Sequence, residues 1–247
     1  MRVPLCFANP AFDRIGYRNT PTGKRPMRLQ RQLRSIRAQA GKTMSPEVMA
    51  MLDRVIADLK ARGVEFGAMR PGLQAPDFAL PNHLGRTVSL YETLERGPVV
   101  LLFYRGEWCP YCCAQLRAMQ LALPQLTAGG ARLVAVSPEL PDHSLTLAER
   151  NALDFDILSD GGAMVARSYG LVYRVPDDLR DLYRDRGLDL NARQGRPPGE
   201  PWHLPIPATY LLSPSGVVRF AAVDADFTQR PEPQALIDLL HDRVPAS

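Results

Sequence analysis

A chain of 247 residues, 45% hydrophobic and 23% charged, has the composition of a globular protein with a full core, sized for one large domain or one domain with extensions. Four cysteines are too few for a disulfide scaffold, no run of about 18 apolar residues suggests a membrane-spanning helix, and the start MRVPLCFANPAFDRIGYRNT lacks the apolar core of a secretory signal, so a reducing cytoplasm is expected. The net charge of +4 comes from residues 1–42, with ten Lys/Arg against one acid and no recognisable binding motif; the rest holds 20 basic and 25 acidic residues, and neither nucleic acid nor membrane is expected as a partner.

Residues 1–26, rich in Pro, Asn, Gly and Thr, read as a disordered basic arm. Residues 27–69 read as a helical extension. Leu29, Leu33, Ile36 and Ala40, then Val48, Leu52, Val55, Ile56 and Leu59, recur at helical spacing. Ser45-Pro46 between the two sets looks like an N-cap followed by proline at the first helical position. The main domain is expected over residues 70–247. Two short alternating strands, 77–80 and 87–90, flank an NHLG turn, and Val99–Tyr104 is a continuous apolar run that suits a buried central strand. Leu116, Met119, Leu123 and Leu126 mark a helix that ends at Gly129-Gly130. ARLVAVSP is the next strand; after a polar segment come the short strand FDILSD and the helix GGAMVARSYG. Residues 176–205 read as an insertion with one helix, DDLRDLYRDRG. PATYLLSPSGVVRFA reads as a hairpin, and 233–243 as the last helix. Strands alternating with helices before an antiparallel pair define an α/β class with right-handed crossovers.

Three of the four cysteines stand in YRGEWCPYCC, directly after the central strand. Cys109 falls where the strand ends and a helix begins. There, unpaired backbone N–H groups and a partial positive charge favour a thiolate. Cys112 follows one turn later, within reach of a disulfide, with Pro110 at the first helical position. C-x-x-C in a β–α–β setting is a dithiol redox signature, strengthened by Trp108. Cys113 is expected to pack beneath the helix, and Cys6 to be incidental. A metal reading stays open: Cys109 and Cys113 make C-x-x-x-C, and with His203 they would offer soft ligands for Cu(I).

The segments APDFALP, GPVVLLFYRGEWCPYC, LVAVSP, LSDGGAMVARSYG, IPATYLLSPSGVVRFA and VDADFTQRPEP, between about residues 70 and 235, resemble the AhpC/TSA peroxiredoxin-like family. The resemblance implies a thioredoxin-like fold, a central mixed sheet flanked by helices, here with the N-terminal helical extension. It implies a hydroperoxide as substrate, with Cys109 attacking and Cys112 resolving. Thioredoxin or a small thiol would be the reductant, with no cofactor and no metal; a homodimer is left open. It further implies a cis-proline facing the cysteines, which Pro207 matches by position. The chain departs from the family at Gly106 and Leu102, where Thr or Ser and Pro are usual, and near Pro207 and Ala208, where an arginine is expected. Arg105, assisted by Tyr104, is the candidate donor toward the leaving oxygen. Phe103 stands where thioredoxins bury an acid, leaving Glu107 as the nearby carboxylate. The C-P-Y-C motif also fits a glutaredoxin-like protein disulfide oxidoreductase as the alternative activity.

Overall fold

The computed structural model describes residues 28–241. At its centre is a five-stranded sheet in the order β5-β4-β3-β8-β9. Strands β3 (Val99–Phe103), β4 (Arg132–Ser137) and β5 (Asp156–Ser159) are parallel, while β8 (Ala208–Leu212) and β9 (Val218–Val223) run antiparallel as the expected hairpin. The unbroken apolar run of β3 is explained by its place. Val100 and Leu102 join the core on one face, Val99, Leu101 and Phe103 the core on the other, so both sides of the pleat are buried. This is a helix–sheet–helix sandwich of thioredoxin fold, as expected.

The first face is covered by α1 (Leu29–Thr43), α2 (Pro46–Ala61), α4 (Pro110–Ala128) and α9 (Pro233–His241), the second by α3 (Leu90–Leu94) and α6 (Met164–Ser168). The expected N-terminal helices are therefore part of the core. The arm over residues 1–26 lies outside the described residues. Ser45 caps α2, accepting from Val48 N–H at 3.5 Å, with Pro46 at the first position as expected. Strands β1 (Ala79–Pro81) and β2 (Thr87–Ser89) form the anticipated small hairpin. Leu90 is not a strand residue, because Ser89 starts α3 by accepting from Glu92 N–H. A helix the apolar pattern did not reveal, α5 (Pro141–Asn151), occupies the polar segment between β4 and β5.

The insertion is closed at its base. Strand β6 (Val172–Arg174) pairs with β7 (His203–Pro205), and Val175 N–H bonds Trp202 O at 2.8 Å. Helices α7 (Asp177–Asp185) and α8 (Leu190–Arg193) lie between. The apolar residues Leu179, Leu188, Leu190 and Trp202 join the same core as the cysteines. The insertion is thus a wall of the cysteine site.

Helix α1 has no side-chain cap of its own. Glu232, from the segment ahead of α9, accepts from Leu29 N–H at 3.1 Å and Gln30 N–H at 2.9 Å. Glu232→Ala should cost about 1 kcal/mol and lower the melting temperature by about 2–4 °C. A calorimetric scan showing no change would place the hold on α1 elsewhere.

Candidate active site

Cys109 is the N-cap of α4, and its carbonyl receives the Cys113 N–H at 3.1 Å. Cys109 and Cys112 are free thiols, hydrogen-bonded to each other, 1% and 0% exposed. Cys113 is buried in the core, as expected, and is in addition disulfide-bonded. The reading of Cys6 lies outside the described residues. No group of three or more His, Cys, Asp or Glu is gathered for a metal among the described residues.

Two guanidinium groups converge on the dithiol. Arg105 is 2% exposed, stacked between the Trp108 ring (4.7 Å) and the Phe227 ring (4.3 Å), and bonded to Tyr183 Oη at 3.1 Å. It is therefore no surface arginine; α7 of the insertion covers it. The second is Arg230, 5% exposed, whose Nη2 lies 3.6 Å from Cys112 Sγ. No arginine stands near Pro207 and Ala208, where one is expected; Arg230 reaches the site from beyond β9 instead. The segment VDADFTQRPEP contains it; its role was hidden because nothing local marks an arginine that folds back over a hundred residues. Tyr104 is buried beside Glu139, and burial first and that charge second keep its phenol neutral.

Burial raises both thiols. In Cys112 it is overcome by the hydrogen bond from Cys109 and the charges of Arg230 and Arg105, which bring it down to about 5. In Cys109, burial and the neighbouring Cys112 prevail, and its thiol is pushed up. The pair thus gives up one proton readily and holds the second. The hydrogen bond between the sulfurs, and then the Arg230 guanidinium 3.6 Å from Cys112 Sγ, favour a single anion within the pair.

Glu107, the carboxylate near the cysteines, is buried. It is 3% exposed and paired to Arg193 of α8 at 3.0 Å. Arg193 also pairs with Glu139, whose other oxygen accepts the Glu107 N–H at 2.5 Å, two residues before Cys109. This triad ties the insertion to the cysteine loop. Gly106 shows why the family's Thr or Ser is missing. Its φ is +147°, and an added Cβ would lie 2.5 Å from Trp108 Nε1 and 2.7 Å from Glu139 Cδ. Gly106→Ala should displace Trp108 or Glu139 and lower both melting temperature and thiol reactivity. Wild-type values for both would contradict the packing.

Pro207 is buried one residue before the Phe103–Ala208 pair, at the end of the sheet where the cysteine loop leaves. Its peptide bond is trans, contrary to the expected cis-proline. The chain passes from β7 into β8 without a tight turn, with Ile206 N–H bonded to Leu171 O at 2.8 Å, and trans is the favoured state of an X–Pro bond.

A mixed sheet with parallel β3-β4-β5, an antiparallel β8-β9 edge and a dithiol at the β3–α4 junction defines a thioredoxin-fold thiol protein. Residues 71–221 match the AhpC/TSA family, and the chain belongs to it. It is 29% identical over 158 residues to chloroplastic peroxiredoxin Q of Triticum aestivum, a match covering 64% of this chain and 61% of that one. With chloroplastic peroxiredoxin Q of Arabidopsis thaliana it shares 30% over 164 residues, 66% and 64% of the two. The match spans less than two thirds of these relatives' length. Among solved structures, peroxidoxin BcpB from Mycobacterium tuberculosis superimposes with a TM-score of 0.54 at 20% identity, covering 70% of this chain and 97% of the other. Xanthomonas campestris peroxiredoxin Q gives 0.51 at 19%, covering 66% and 89%.

Proposed function

We propose that the protein is a thiol-dependent peroxidase that reduces hydroperoxides through a Cys109/Cys112 dithiol–disulfide cycle. The observation that carries this reading is the convergence of two buried guanidiniums, Arg105 and Arg230, on a hydrogen-bonded thiol pair. Such donors stabilise charge on a leaving oxygen. The proton shared by the two sulfurs rests on Cys112 while Cys109 attacks the outer peroxide oxygen. The O–O bond breaks, Cys109 becomes a sulfenic acid, and the leaving alkoxide takes the proton as alcohol. Cys112, again a thiolate, attacks the Cys109 sulfur and expels hydroxide, which leaves as water. Thioredoxin or a small thiol then returns two electrons to the disulfide.

Both sulfurs are enclosed, which favours a small hydroperoxide over a folded protein disulfide. The glutaredoxin-like alternative has only its motif in support. The test is consumption of hydrogen peroxide and an organic hydroperoxide, coupled to thioredoxin and its reductase, beside an insulin-reduction assay. Peroxide turnover without insulin reduction is expected; the reverse pattern would overturn the reading.

A further inference from the structure

We propose that Thr209, Gln115 and Arg230 form a positioning chain that holds a guanidinium on Cys112, so that this cysteine meets the sulfenic acid of Cys109 as a ready thiolate. The inference rests on the peroxidase reading above for which sulfur is oxidised first.

The chain is continuous and buried. Gln115 Nε2 donates to Thr209 Oγ1 at 2.9 Å, Arg230 Nε donates to Gln115 Oε1 at 2.7 Å, and Arg230 Nη2 lies 3.6 Å from Cys112 Sγ. Thr209 and Gln115 are 0% and 1% exposed. Arg230 Nη1 donates to Phe227 O at 2.9 Å and to Gln229 O. Gln115 stands three residues after Cys112 on α4, hence on the same helix face, so one guanidinium spans both side chains. The amide orientation follows from chemistry. A guanidinium only donates, so Gln115 must turn its oxygen to Arg230, and its NH₂ then needs the Thr209 oxygen. Leaving either group unpaired would cost its desolvation, which makes the set cooperative.

Other charged and titratable groups also face the sulfurs. Arg105, from the loop after β3, favours the anion through its backbone and its charge, but Tyr183 and two rings hold its guanidinium, outside the Thr209–Gln115 chain. Tyr104 after β3, Tyr111 on α4 and Tyr173 on β6 are all raised by burial and stay neutral, and Glu139 raises Tyr104 further. The low titration of Cys112 agrees with the geometry. In the resolving step Cys112–S⁻ attacks Cys109–SOH. The S–S bond forms, the S–O bond breaks, and hydroxide departs and picks up a solvent proton. A neutral Cys112 would first have to lose its proton.

The test uses the full chain with Thr209→Val, Gln115→Leu, Arg230→Gln and Arg230→Lys. Thiolate absorbance of the reduced protein is titrated with pH. Dimedone trapping and mass spectrometry then follow one equivalent of hydrogen peroxide. The first three variants should move the thiolate midpoint to higher pH. Measured from the sulfenic acid state, where Cys112 is the remaining thiol, each pH unit of that rise should slow disulfide formation about tenfold below both midpoints. Dimedone adduct on Cys109 should rise, and Arg230→Lys should recover much of the loss. Thr209→Val keeps the side-chain shape and touches neither sulfur, so it remains informative if Arg230→Gln does not fold. A wild-type midpoint and a wild-type rate of disulfide formation from the sulfenic acid in Thr209→Val and Gln115→Leu would overturn the proposal and leave the peroxidase reading standing. A wild-type protein that forms no sulfenic acid would instead bring down that reading and the resolving role with it.

Discussion

Cys109→Ser should abolish peroxide consumption, and Cys112→Ser should leave a protein that reacts once and stops. A serine hydroxyl cannot replace the thiolate nucleophile, so the first variant loses the attacking atom itself. The second keeps it. In the wild type, burial and the neighbouring Cys112 hold the Cys109 thiol up, while Arg105 and Arg230 oppose them. Removing the Cys112 sulfur leaves both guanidiniums to act on Cys109, which then ionises more readily and still attacks. No second thiol is then in place to expel hydroxide. The sulfenic acid should persist, be trapped by dimedone, and pass to sulfinic acid under excess peroxide. Mass spectrometry after one equivalent of peroxide reads both outcomes. A disulfide between Cys109 and Cys113 in Cys112→Ser would mean that Cys113, after exchange of its own disulfide, is the resolving residue.

What the sequence disclosed about this site is what is local in the chain. The apolar run Val99–Phe103, the C-P-Y-C turn and the spacing of Leu116, Met119 and Leu126 each declare themselves within one or two turns of backbone. The same holds for the two extension helices and the Ser45 cap. The partners of the dithiol are different. Arg230 lies 118 residues from Cys112, and the expectation placed an arginine near Pro207, on the strand that faces the cysteines. Glu107, Glu139 and Arg193 sit 32 to 86 residues apart, and each alone reads as an ordinary surface charge. Only the closure of the insertion by β6 and β7 brings Arg193 down to the cysteine loop. Helix α5 escaped notice for a related reason: its segment is polar, and few apolar positions mark its period.

Arg193→Ala should be the most destabilising single change outside the cysteines, and its cost should depend on pH. Arg193, with its side chain 15% exposed, bridges two carboxylates that are 4% and 1% exposed. Removing the bridging cation takes an ion-pair partner from two buried carboxylates at once, a loss of about 3–5 kcal/mol, or on the order of 10 °C in melting temperature for a chain of this size. Burial, set against Arg193 and the Glu107 N–H, pushes Glu139 up from 4.5 to about 7. The folded chain therefore binds more protons than the unfolded chain between those values. The stability contributed by Glu139 is full below about 4.5 and is lost as pH rises through about 7. Without Arg193 the Glu139 carboxyl should hold its proton to still higher pH, so the variant should lose more stability at about pH 8 than at about pH 5, where a protonated Glu139 no longer needs the cation. Melting curves of wild type and variant at the two pH values measure this; a loss independent of pH would mean that Arg193 acts by packing alone. Because Glu139 holds the N–H of Glu107, two residues before Cys109, the same variant should also loosen the cysteine loop and slow its oxidation by peroxide.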